Sequence, residues 1–441
     1  MKILLLNPKN KVWSGGTSTL PVGLAYIAAS LEQDKHEVKC IDLDVEPADG
    51  LEAEIAASEL VGITAVTATI KSAWELGRLA KRHGKTVVIG GPHATVLPEE
   101  SLLAGFADIV VRGEGEETIK EIAAKKELAA IAGISYINGG KVVNNPQRAQ
   151  IADLDTLPFP ARHLFKLKLY KSEFHSKNII ATVHTSRGCP HKCNFCCRDV
   201  FGNTYRMRSV ENVVKEWDML VSQGVEELNI NDDNFTAVPS RGIEICDRLI
   251  KNKLNVPWTA SGGLRVDKVT KELLVKMKES GCYRVSLGAE SGSQAIIDKI
   301  GKRITLQQIR DAVRLCKEAG LESTVFFMIG NLGETEKDIR ATIEFAKELE
   351  PSFAQFTIAV PYPGTALYDY VKKNGRLLVD DWSQYGSFTG KAYFECGSLT
   401  KGLVERMIKK AYREYYLRPR ILMKLLLKYN VKLFKTLSLF R

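Results

Sequence analysis

The chain has 441 residues, of which 45% are hydrophobic and 26% charged, and its formal net charge is +10. These proportions are typical of a soluble globular protein, and the length allows two or three domains with full-sized cores. The entire positive excess lies in residues 401–441, which carry twelve Lys or Arg and two Asp or Glu. A protein that is basic over its whole surface, as a non-specific nucleic-acid binder would be, is therefore disfavoured.

The N-terminal segment and the cysteines bear on the cellular compartment. The first residues, MKILLLNPKNK, contain an apolar run of only four residues, which is too short for the core of a signal peptide. No segment of the sequence resembles a transmembrane helix. We therefore expect a cytoplasmic protein, in which the nine cysteines would be thiols or metal ligands and not a disulfide framework.

The first 125 residues alternate short apolar segments with amphipathic ones. This alternation predicts a parallel sheet covered by helices on both faces, as in a doubly wound, Rossmann-like α/β domain. Ligands bind such sheets at the carboxyl ends of the strands, where the loops of this sequence are small and polar. Predicted helices include residues 22–32 and 72–83. The predicted strands are residues 2–6, 37–42, 60–64, 86–89 and 108–111.

Residues 131–170 differ in character from the segment before them. Two short apolar runs, 134–137 and 141–143, flank Asn138-Gly139-Gly140, which predicts a β-hairpin. The run Leu157-Pro158-Phe159-Pro160 predicts a stiff, extended connector. We therefore expect an N-terminal domain over residues 1–130, followed by a hairpin and linker over residues 131–170.

The alternation of strands and helices starts again near residue 178. Six β/α units predict a partial (β/α)6 barrel over residues 171–375, since a closed barrel has eight. Predicted helices include 209–221, 305–319 and 335–349. A C-terminal helical region, 376–441, follows and begins with a helix at 403–416. The six predicted strands are residues 179–185, 227–230, 258–261, 283–287, 324–329 and 354–360.

Three cysteines lie together in the loop that follows the first strand of this second array. Cys189, Cys193 and Cys196 have the spacing C-x3-C-x2-C. Three thiolates at this spacing can bind three irons of one [4Fe–4S] cluster and leave the fourth iron open for a small chelating ligand. A zinc ribbon would need two separated cysteine pairs instead. The adjacent Cys197 is not expected to be a ligand.

This motif, together with six β/α units, resembles the radical S-adenosylmethionine superfamily. The resemblance implies a [4Fe–4S] cluster whose fourth iron is chelated by the amino and carboxylate groups of S-adenosylmethionine. It further implies that an electron from the cluster cleaves S-adenosylmethionine and releases a 5′-deoxyadenosyl radical. An external reductant such as flavodoxin or ferredoxin would supply that electron.

The resemblance extends to the loops after the later strands. Taken alone, the carboxylates in these loops are more often helix caps and the glycines turn residues, but their placement after successive strands favours binding. Arg265 could pair with the methionine carboxylate, although a surface arginine is an equal alternative. The implied S-adenosylmethionine-binding residues are Phe195, Asp232, Asp233, Arg265, Glu290, Ser291, Gly330 and Gly333.

The N-terminal domain resembles the cobalamin-binding domain of one subgroup of this superfamily. Glycines allow the backbone to approach a large flat ring, and threonines offer short hydrogen bonds to its amide groups. The loop after the first strand contains no His, so we expect no His ligand to cobalt. Such a sheet can also lose its corrinoid and keep its shape. The implied cobalamin-binding residues are Thr64, Thr67, Thr69, Gly90, Gly91, Pro92, His93, Glu114, Gly115 and Glu116.

The basic tail is amphipathic over residues 420–439. Lys424, Lys428, Lys432 and Lys435 fall within an arc of about 80° at 100° per residue, and apolar side chains cover much of the rest. This pattern predicts a helix that lies on an anionic membrane surface, at the inner face of the membrane. A helix docked on the protein's own core is the alternative, and a nucleic-acid-binding arm is disfavoured because the segment is too apolar.

The sequence as a whole predicts a radical enzyme that transfers a methyl group from methylcobalamin to an unactivated carbon. A lipid or isoprenoid substrate would suit the tail. Two alternatives stay open. One is a radical cyclisation, coupling or rearrangement enzyme in which the first domain is only a scaffold. The other, from a different class, is an iron–sulfur or corrinoid sensing module without catalysis.

Overall fold

A computed structural model of the chain describes residues 1–12, 19–170 and 177–423. The chain divides into two compact units. The first comprises Met1–Pro190, Cys197–Asn229 and Asp381–Tyr385, and the second comprises His191–Cys196, Ile230–Asp380 and the chain from Gly386 onward. The loop that carries the three motif cysteines therefore contributes to both units.

A seven-stranded sheet forms the centre of the first unit. Its strand order is β2-β1-β3-β4-β5-β6-β7, and β1 to β5 are parallel. All five parallel strands predicted from the sequence are within one residue of these bounds at both ends. The strands are β1 Lys2–Asn7, β2 Glu37–Asp42, β3 Leu60–Thr64, β4 Thr86–Gly90, β5 Ile109–Val111, β6 Ile134–Asn138 and β7 Lys141–Asn144.

The hairpin assigned to the linker from the sequence is in fact the edge of this sheet. Strand β6 pairs antiparallel with β5, and β7 pairs antiparallel with β6. Gly139 and Gly140 both have positive φ, at 58° and 77°, as a two-residue hairpin turn of the favoured type requires. Ile134 and Tyr136 are buried, and this apolar face attaches the hairpin to the core of the first unit.

The strands of this sheet are buried on both faces. Alternate residues of β1 point to opposite sides, so Ile3 and Leu5 join one core while Leu4 and Leu6 join the other. Each such buried side chain contributes about 2 kcal/mol of hydrophobic stabilisation. Helices cover both faces, which confirms the doubly wound architecture. They are α1 Val22–Gln33, α2 Leu51–Ala57, α3 Ile70–Arg82, α4 Pro92–Val96, α5 Pro98–Leu103 and α6 Glu116–Ala123.

A second sheet has six strands in the order β15-β14-β13-β12-β11-β8. Pairs β12–β13, β13–β14 and β14–β15 are parallel, as the predicted partial barrel requires. Along the chain, β8 and β11 are separated by two short strands, β9 and β10, which pair antiparallel in a small sheet of their own. The strands are β8 Ile180–Val183, β9 Ser186–Arg187, β10 Arg206–Met207, β11 Glu227–Ile230, β12 Trp258–Leu264, β13 Cys282–Glu290, β14 Glu322–Ile329 and β15 Phe353–Ile358.

Helices alternate with the strands of the second sheet, and polar residues mark where they begin. The side chains of Thr305 and Thr335 each accept a hydrogen bond from the backbone N–H three residues later, at Gln308 and Asp338. The side chains of these two residues accept in turn from the backbone N–H of the threonine, which completes a capping box. The helices are α7 Val210–Ser222, α8 Pro239–Lys251, α9 Lys271–Glu279, α10 Gln294–Ile300, α11 Leu306–Glu318, α12 Glu336–Leu349 and α13 Ala366–Asn374.

The C-terminal region contains a short antiparallel pair, β16 Arg376–Leu377 with β17 Phe394–Glu395, and then α14, Lys401–Tyr416. The hydroxyl of Tyr416 donates to the Ala354 carbonyl at 2.9 Å, which fastens α14 to β15. No helix within 1–12, 19–170 and 177–423 combines the length and apolar character needed to cross a membrane. The predicted interfacial lysines, Lys424, Lys428, Lys432 and Lys435, lie outside the described residues.

Candidate active site

A short antiparallel pair of strands in the first unit, here called the stem, directly precedes the first motif cysteine. Arg187 of β9 pairs with Arg206 of β10, and Gly188 separates this pair from Cys189. Gly188 has a φ of 83°, and a Cβ at this position would collide with the carbonyl oxygen of Thr204. Only glycine fits here, so the backbone immediately before Cys189 has little freedom.

The other two motif cysteines lie in the second unit on a loop with its own anchors. The backbone N–H of Asn194 donates to the Ile300 carbonyl at 3.0 Å, and the Asn194 carbonyl accepts from the Leu367 N–H at 2.9 Å. A tight turn joins Cys193 to Cys196, whose N–H donates to the Cys193 carbonyl at 3.2 Å. Segments that follow β13 and β15 thus hold this half of the loop.

The thiols of this half are chemically suited to bind iron. A hydrogen bond from the Cys196 thiol, with the positive charge of Lys302, lowers the pKa of Cys193 to about 7. The same hydrogen bond, together with burial, raises the pKa of Cys196. Thiolates are the ligands of iron–sulfur clusters. The donor chemistry therefore fits a cluster at this loop.

The geometry does not suit a single metal ion. No three His, Cys, Asp or Glu side chains in the described part of the chain are arranged to hold one ion. A [4Fe–4S] cluster makes a different demand, because each thiolate binds a different iron and the sulfurs need not converge on one point. None of the three motif cysteines forms a disulfide, and none is fully buried.

Glu290, the residue implied to meet the ribose, has an unusual backbone. It ends β13 at a register shift and has a φ of 66°, which is uncommon for any residue other than glycine, asparagine or aspartate. Its carboxylate forms a buried ion pair with Lys302. Such strain is found where surrounding contacts fix a side chain in one direction. Ser291, its neighbour, is fully buried, with its hydroxyl 3.1 Å from that of Thr342 on α12.

The loop after β11 contains a buried amide that lacks partners. Asn234 is 1% exposed, and neither its side-chain oxygen nor its nitrogen has a hydrogen-bond partner among the described residues. A buried polar group without a partner is costly, so a bound molecule that satisfies it is favoured. Asp232 is buried in the same loop, whereas Asp233 is exposed. Asn234 was not identified from the sequence, since asparagine in a polar loop has no distinctive pattern.

Arg265, after β12, is held on three sides. Its Nε donates to Asp267 at 2.9 Å and one Nη donates to the Lys302 carbonyl at 3.0 Å. Its backbone N–H donates to the Thr236 hydroxyl at 3.2 Å. The Arg265 guanidinium is thereby held at the backbone of Lys302, the residue whose side chain pairs with Glu290. Lys302 itself carries no motif, and only its contacts identify it.

The glycine turn after β14 is organised by a carboxyl group. Gly330 and Gly333 have φ values of 92° and 71°. Glu334 Oε2 accepts from the N–H of Gly330 at 2.6 Å and from that of Asn331 at 3.0 Å, while its Oε1 has no partner among the described residues. Burial raises the pKa of Glu334 to about 8.

The loops after β3 and β4 in the first unit contain most of the residues implied to bind cobalamin. Gly91 has a φ of 98°, and a Cβ there would lie 2.7 Å from the Ala65 carbonyl oxygen, so the two loops touch through their backbones. Thr64 Oγ1 borders the same point at 3.0 Å. Gly90 ends β4, and Pro92 begins α4. These small residues and turn glycines fit the close approach of a large flat ring.

His93, which was implied to touch the corrinoid, is fully buried. Its Nδ1 is 3.3 Å from the Thr67 hydroxyl and its Nε2 is 3.1 Å from Glu100. The Trp382 indole N–H also donates to Glu100, at 3.1 Å. The Trp382 ring meets the His93 ring edge to face. Both ring nitrogens of His93 are therefore engaged within the first unit. Thr69 similarly caps its own turn, through the N–H of Val66 at 3.1 Å.

The loop after β5 contains a buried network of opposite charges. Arg187 donates to Glu114 at 2.8 Å and to Glu116 at 2.6 Å. Arg206 donates to both oxygens of Glu114, at 3.0 Å and 2.8 Å. Between the two glutamates, Gly115 packs against Ile27. The carboxylates implied to bind cobalamin are thus directed to the stem of the cysteine loop.

Comparison with known proteins places these features in a family. The Radical SAM superfamily model matches residues 183–346, and the B12 binding domain model matches residues 13–123. An uncharacterised methyltransferase of Pyrococcus horikoshii is 38% identical over 96% of this chain and 94% of its own length. The chain belongs to the radical S-adenosylmethionine superfamily, in the subgroup with an N-terminal cobalamin-binding domain.

Two further relatives bear on the fold and the chemistry. The radical enzyme OxsB, solved with aqua-cobalamin and S-adenosylmethionine bound, has a TM-score of 0.76 and 18% identity, covering 96% of this chain and 70% of that one. This likeness confirms the predicted α/β fold of the chain. An anaerobic magnesium-protoporphyrin IX monomethyl ester cyclase of Cereibacter sphaeroides is 27% identical over 96% of this chain and 71% of its own length.

Membership of the family confirms several expectations from the sequence. The protein is a radical S-adenosylmethionine enzyme of the cobalamin-dependent methyltransferase type. Its two family domains are those of the predicted cofactors, which are a [4Fe–4S] cluster, S-adenosylmethionine and cobalamin. The assignment of individual residues to each cofactor stays a prediction.

Proposed function

We propose that this enzyme methylates an unactivated carbon atom of its substrate by radical chemistry. The observation that carries the proposal is the C-x3-C-x2-C loop at the end of β8 in a chain that also contains a B12 binding domain. When bound, the cluster and S-adenosylmethionine supply a hydrogen-abstracting radical, and cobalamin supplies the methyl group. The rest of the chemistry depends on how the chain's own residues orient these groups and exclude water.

The residues of the second unit suggest how S-adenosylmethionine is oriented. Cys193 and Cys196 would hold the cluster, with Cys189 as the third ligand. The Lys302–Glu290 pair fixes the carboxylate that would meet the ribose hydroxyls, since the ion pair restricts its rotation. Asn234, buried and without a partner, would donate and accept hydrogen bonds to the bound molecule. The turn at Gly330, held by Glu334, would present backbone to the adenine.

The substrate class is proposed from the C-terminal region. The end of α14 and the segment after it expose both apolar and basic side chains: Leu417 is 58% and Met423 is 62% exposed, and Arg413 and Arg420 are also exposed. The lysine stripe predicted for residues 420–439 would continue it. Basic residues beside exposed apolar side chains suit an anionic lipid surface. We propose a lipid or isoprenoid substrate, reached at the inner face of the membrane.

The membrane component has a direct test. Full-length enzyme and a variant that ends at residue 418 are sedimented with vesicles of anionic lipid and, as a control, with vesicles of neutral lipid. We expect the full chain to bind anionic vesicles in a salt-sensitive manner and the truncated chain to remain in solution. Equal sedimentation of the two proteins would exclude the tail as an anchor.

The methylation itself is tested with labelled S-adenosylmethionine. Anaerobically reconstituted enzyme, loaded with cobalamin and given a reductant, is incubated with a lipid extract and S-adenosylmethionine that carries a trideuterated methyl group. We expect a lipid product heavier by one trideuteromethyl group, with 5′-deoxyadenosine formed beside it. A matched reaction with Cys193→Ala enzyme should form neither product.

Radical cyclisation without methyl transfer is a second candidate. It is favoured by the similarity to the cyclase of Cereibacter sphaeroides, which extends over nearly the whole chain. This candidate predicts 5′-deoxyadenosine without label in the product. Formation of neither compound with the lipid extract would argue against a lipid or isoprenoid substrate.

A further inference from the structure

We propose that Arg187, clamped between Glu114 and Glu116, is a positioning residue for the first cluster ligand, Cys189. The inference rests on the proposed function, in which Cys189 binds the cluster. It assigns to the Gly113–Glu116 loop of the B12 binding domain a second task, which is to hold the stem of the cysteine loop. All the residues concerned lie in the first compact unit.

The contacts of Arg187 are numerous for one side chain. It is 4% exposed and donates from one Nη to Glu114 at 2.8 Å and from the other to Glu116 at 2.6 Å. Its guanidinium also stacks on two rings, 4.9 Å from the centre of Tyr26 and 5.1 Å from that of Phe201. A planar fork held by two carboxylates and two rings has one orientation available.

The network around Arg187 is balanced in charge. Two buried arginines, Arg187 and Arg206, face two buried glutamates, Glu114 and Glu116. Glu114 also accepts from the backbone N–H of Ile151 at 2.9 Å, and Arg206 donates to the Ile151 carbonyl at 2.6 Å. A buried charge pair gives little net stability over an apolar pair, but it specifies one arrangement because a broken pair leaves a charge unpaired. Specification of geometry is therefore its expected benefit.

This fixed geometry is transmitted to Cys189 over a very short distance in the chain. Only Gly188 separates the two residues; it has a φ of 83°, and its backbone lies so close to the Thr204 carbonyl that no side chain fits there. On the other side of the stem, the backbone N–H of Arg208 donates to the Thr185 carbonyl at 3.0 Å, and its side chain donates to the His184 carbonyl at 3.0 Å. The stem is thus held at both ends, and the first thiolate is placed before a cluster arrives.

A residue that orients a metal ligand without binding the metal usually affects how tightly the metal centre is held. Loss of a residue that orients a metal ligand typically lowers metal affinity by about 10- to 100-fold. Loss of Arg187 should therefore weaken the cluster itself, beyond any general loss of stability. A residue that only supports the fold would lower the melting temperature without a selective effect on the cluster.

The test compares cluster loss in the reconstituted full-length enzyme. The variants are Arg187→Gln, Arg187→Lys and Glu116→Gln. The matched control is Arg284→Gln, which removes another buried arginine, paired with Glu322 at 2.6 Å near the start of β13 and far along the chain from the cysteines. Iron release to a chelator, the electron paramagnetic resonance spectrum of the reduced cluster, and the melting temperature are measured for each protein.

We expect Arg187→Gln to release iron about tenfold faster than the wild type and to broaden the spectrum of the reduced cluster. The rate of iron release from Arg187→Lys should lie between those of the wild type and Arg187→Gln, because lysine keeps the charge but cannot bridge both carboxylates. Arg284→Gln should lose melting temperature without faster iron release. If Arg187→Gln does not fold, Glu116→Gln decides, since it removes one charge from the clamp while preserving shape.

Two outcomes would overturn the inference. One is iron release from the Arg187 and Glu116 variants at the wild-type rate. The other is iron release that simply follows melting temperature across all variants, including Arg284→Gln. Failure of the wild-type enzyme to bind any iron–sulfur cluster is a different result, because it would contradict the proposed function and not the clamp alone.

Discussion

Glu334 accepts a hydrogen bond of 2.6 Å from the backbone N–H of Gly330 and, through this bond, closes the turn after β14. The same carboxyl group is fully buried, its second oxygen lacks a partner among the described residues, and burial raises its pKa to about 8. Near neutral pH, Glu334 is therefore mostly protonated in the folded protein.

The stability of the apoprotein should depend on Glu334 and pH. Because the folded-state pKa is raised above the ordinary value of 4.5, the stabilising effect of the bound proton is complete below about pH 4.5 and is lost as the pH rises towards 8. Glu334→Gln, which resembles the protonated acid, should abolish this part of the decline and be the more stable protein at pH 8, by at least about 1 kcal/mol. Denaturant unfolding from pH 6 to 9 measures the free energy of unfolding of both proteins. If that free energy declined with pH equally in the two proteins, the prediction would be refuted.

The three motif cysteines should be separable from their neighbour. Alanine at Cys189, Cys193 or Cys196 removes one of three cluster ligands, and we expect loss of the visible absorption of the reconstituted [4Fe–4S] cluster and of 5′-deoxyadenosine formation. Cys197→Ala is the matched control and should retain both. Loss of the cluster in Cys197→Ala but not in Cys189→Ala would show that the ligands are assigned wrongly.

The Lys302–Glu290 pair should show strong coupling. Lys302→Met leaves a buried carboxylate without its cation and should lower the free energy of unfolding by about 3 kcal/mol. Glu290→Gln in the same chain removes that unpaired charge, so the double variant should be more stable than Lys302→Met alone. A double-mutant cycle in denaturant measures the coupling, and simple additivity of the two changes would argue against the pair.

Gly91 should tolerate no side chain. Gly91→Ala places an alanine at φ 98° and ψ −179°, a conformation that is essentially confined to glycine, and puts its Cβ 2.7 Å from the Ala65 carbonyl oxygen. Gly50 is the matched control, since it has a φ of 75° but open space around its Cβ position. We expect Gly50→Ala to cost about 1 kcal/mol and Gly91→Ala a further 1–3 kcal/mol or so from the clash.

Cobalamin binding provides the second measurement for the Gly91 prediction. Retention of cobalamin by Gly50→Ala and its loss from Gly91→Ala are the expected results, because only the latter separates the loops after β3 and β4. Cobalamin binding by Gly91→Ala at the wild-type level would place the corrinoid elsewhere.

The strands and helices could be predicted largely from apolar patterns. Strand β11, Glu227–Ile230, and strand β3, Leu60–Thr64, have the expected bounds because runs of residues buried on both faces have no other stable position in such a sheet. The hairpin β6–β7 was expected as a separate element, since its turn is local but its pairing with β5 is not. Local patterns define elements, whereas their partners are defined by the packed core.

The candidate site was predictable only where a motif occurs within one segment. The cysteine loop is such a case, because its chemistry depends on spacing along the chain. The clamp of Arg187 by Glu114 joins residues 73 positions apart, and the bond from Trp382 to Glu100 joins residues 282 apart. Lys302 and Asn234 carry no distinctive pattern. Lys302 is revealed by its ion pair with Glu290, and Asn234 by a buried amide without a partner among the described residues.

The products formed from S-adenosylmethionine report on both proposed reactions in a single assay. Anaerobically reconstituted enzyme with cobalamin and a reductant is supplied with S-adenosylmethionine, and the products derived from it are quantified by mass spectrometry. The account predicts both 5′-deoxyadenosine, from reductive cleavage, and S-adenosylhomocysteine, from methylation of the corrinoid, with the former absent from Cys193→Ala enzyme. Formation of neither product by enzyme that contains both the cluster and cobalamin would contradict the account.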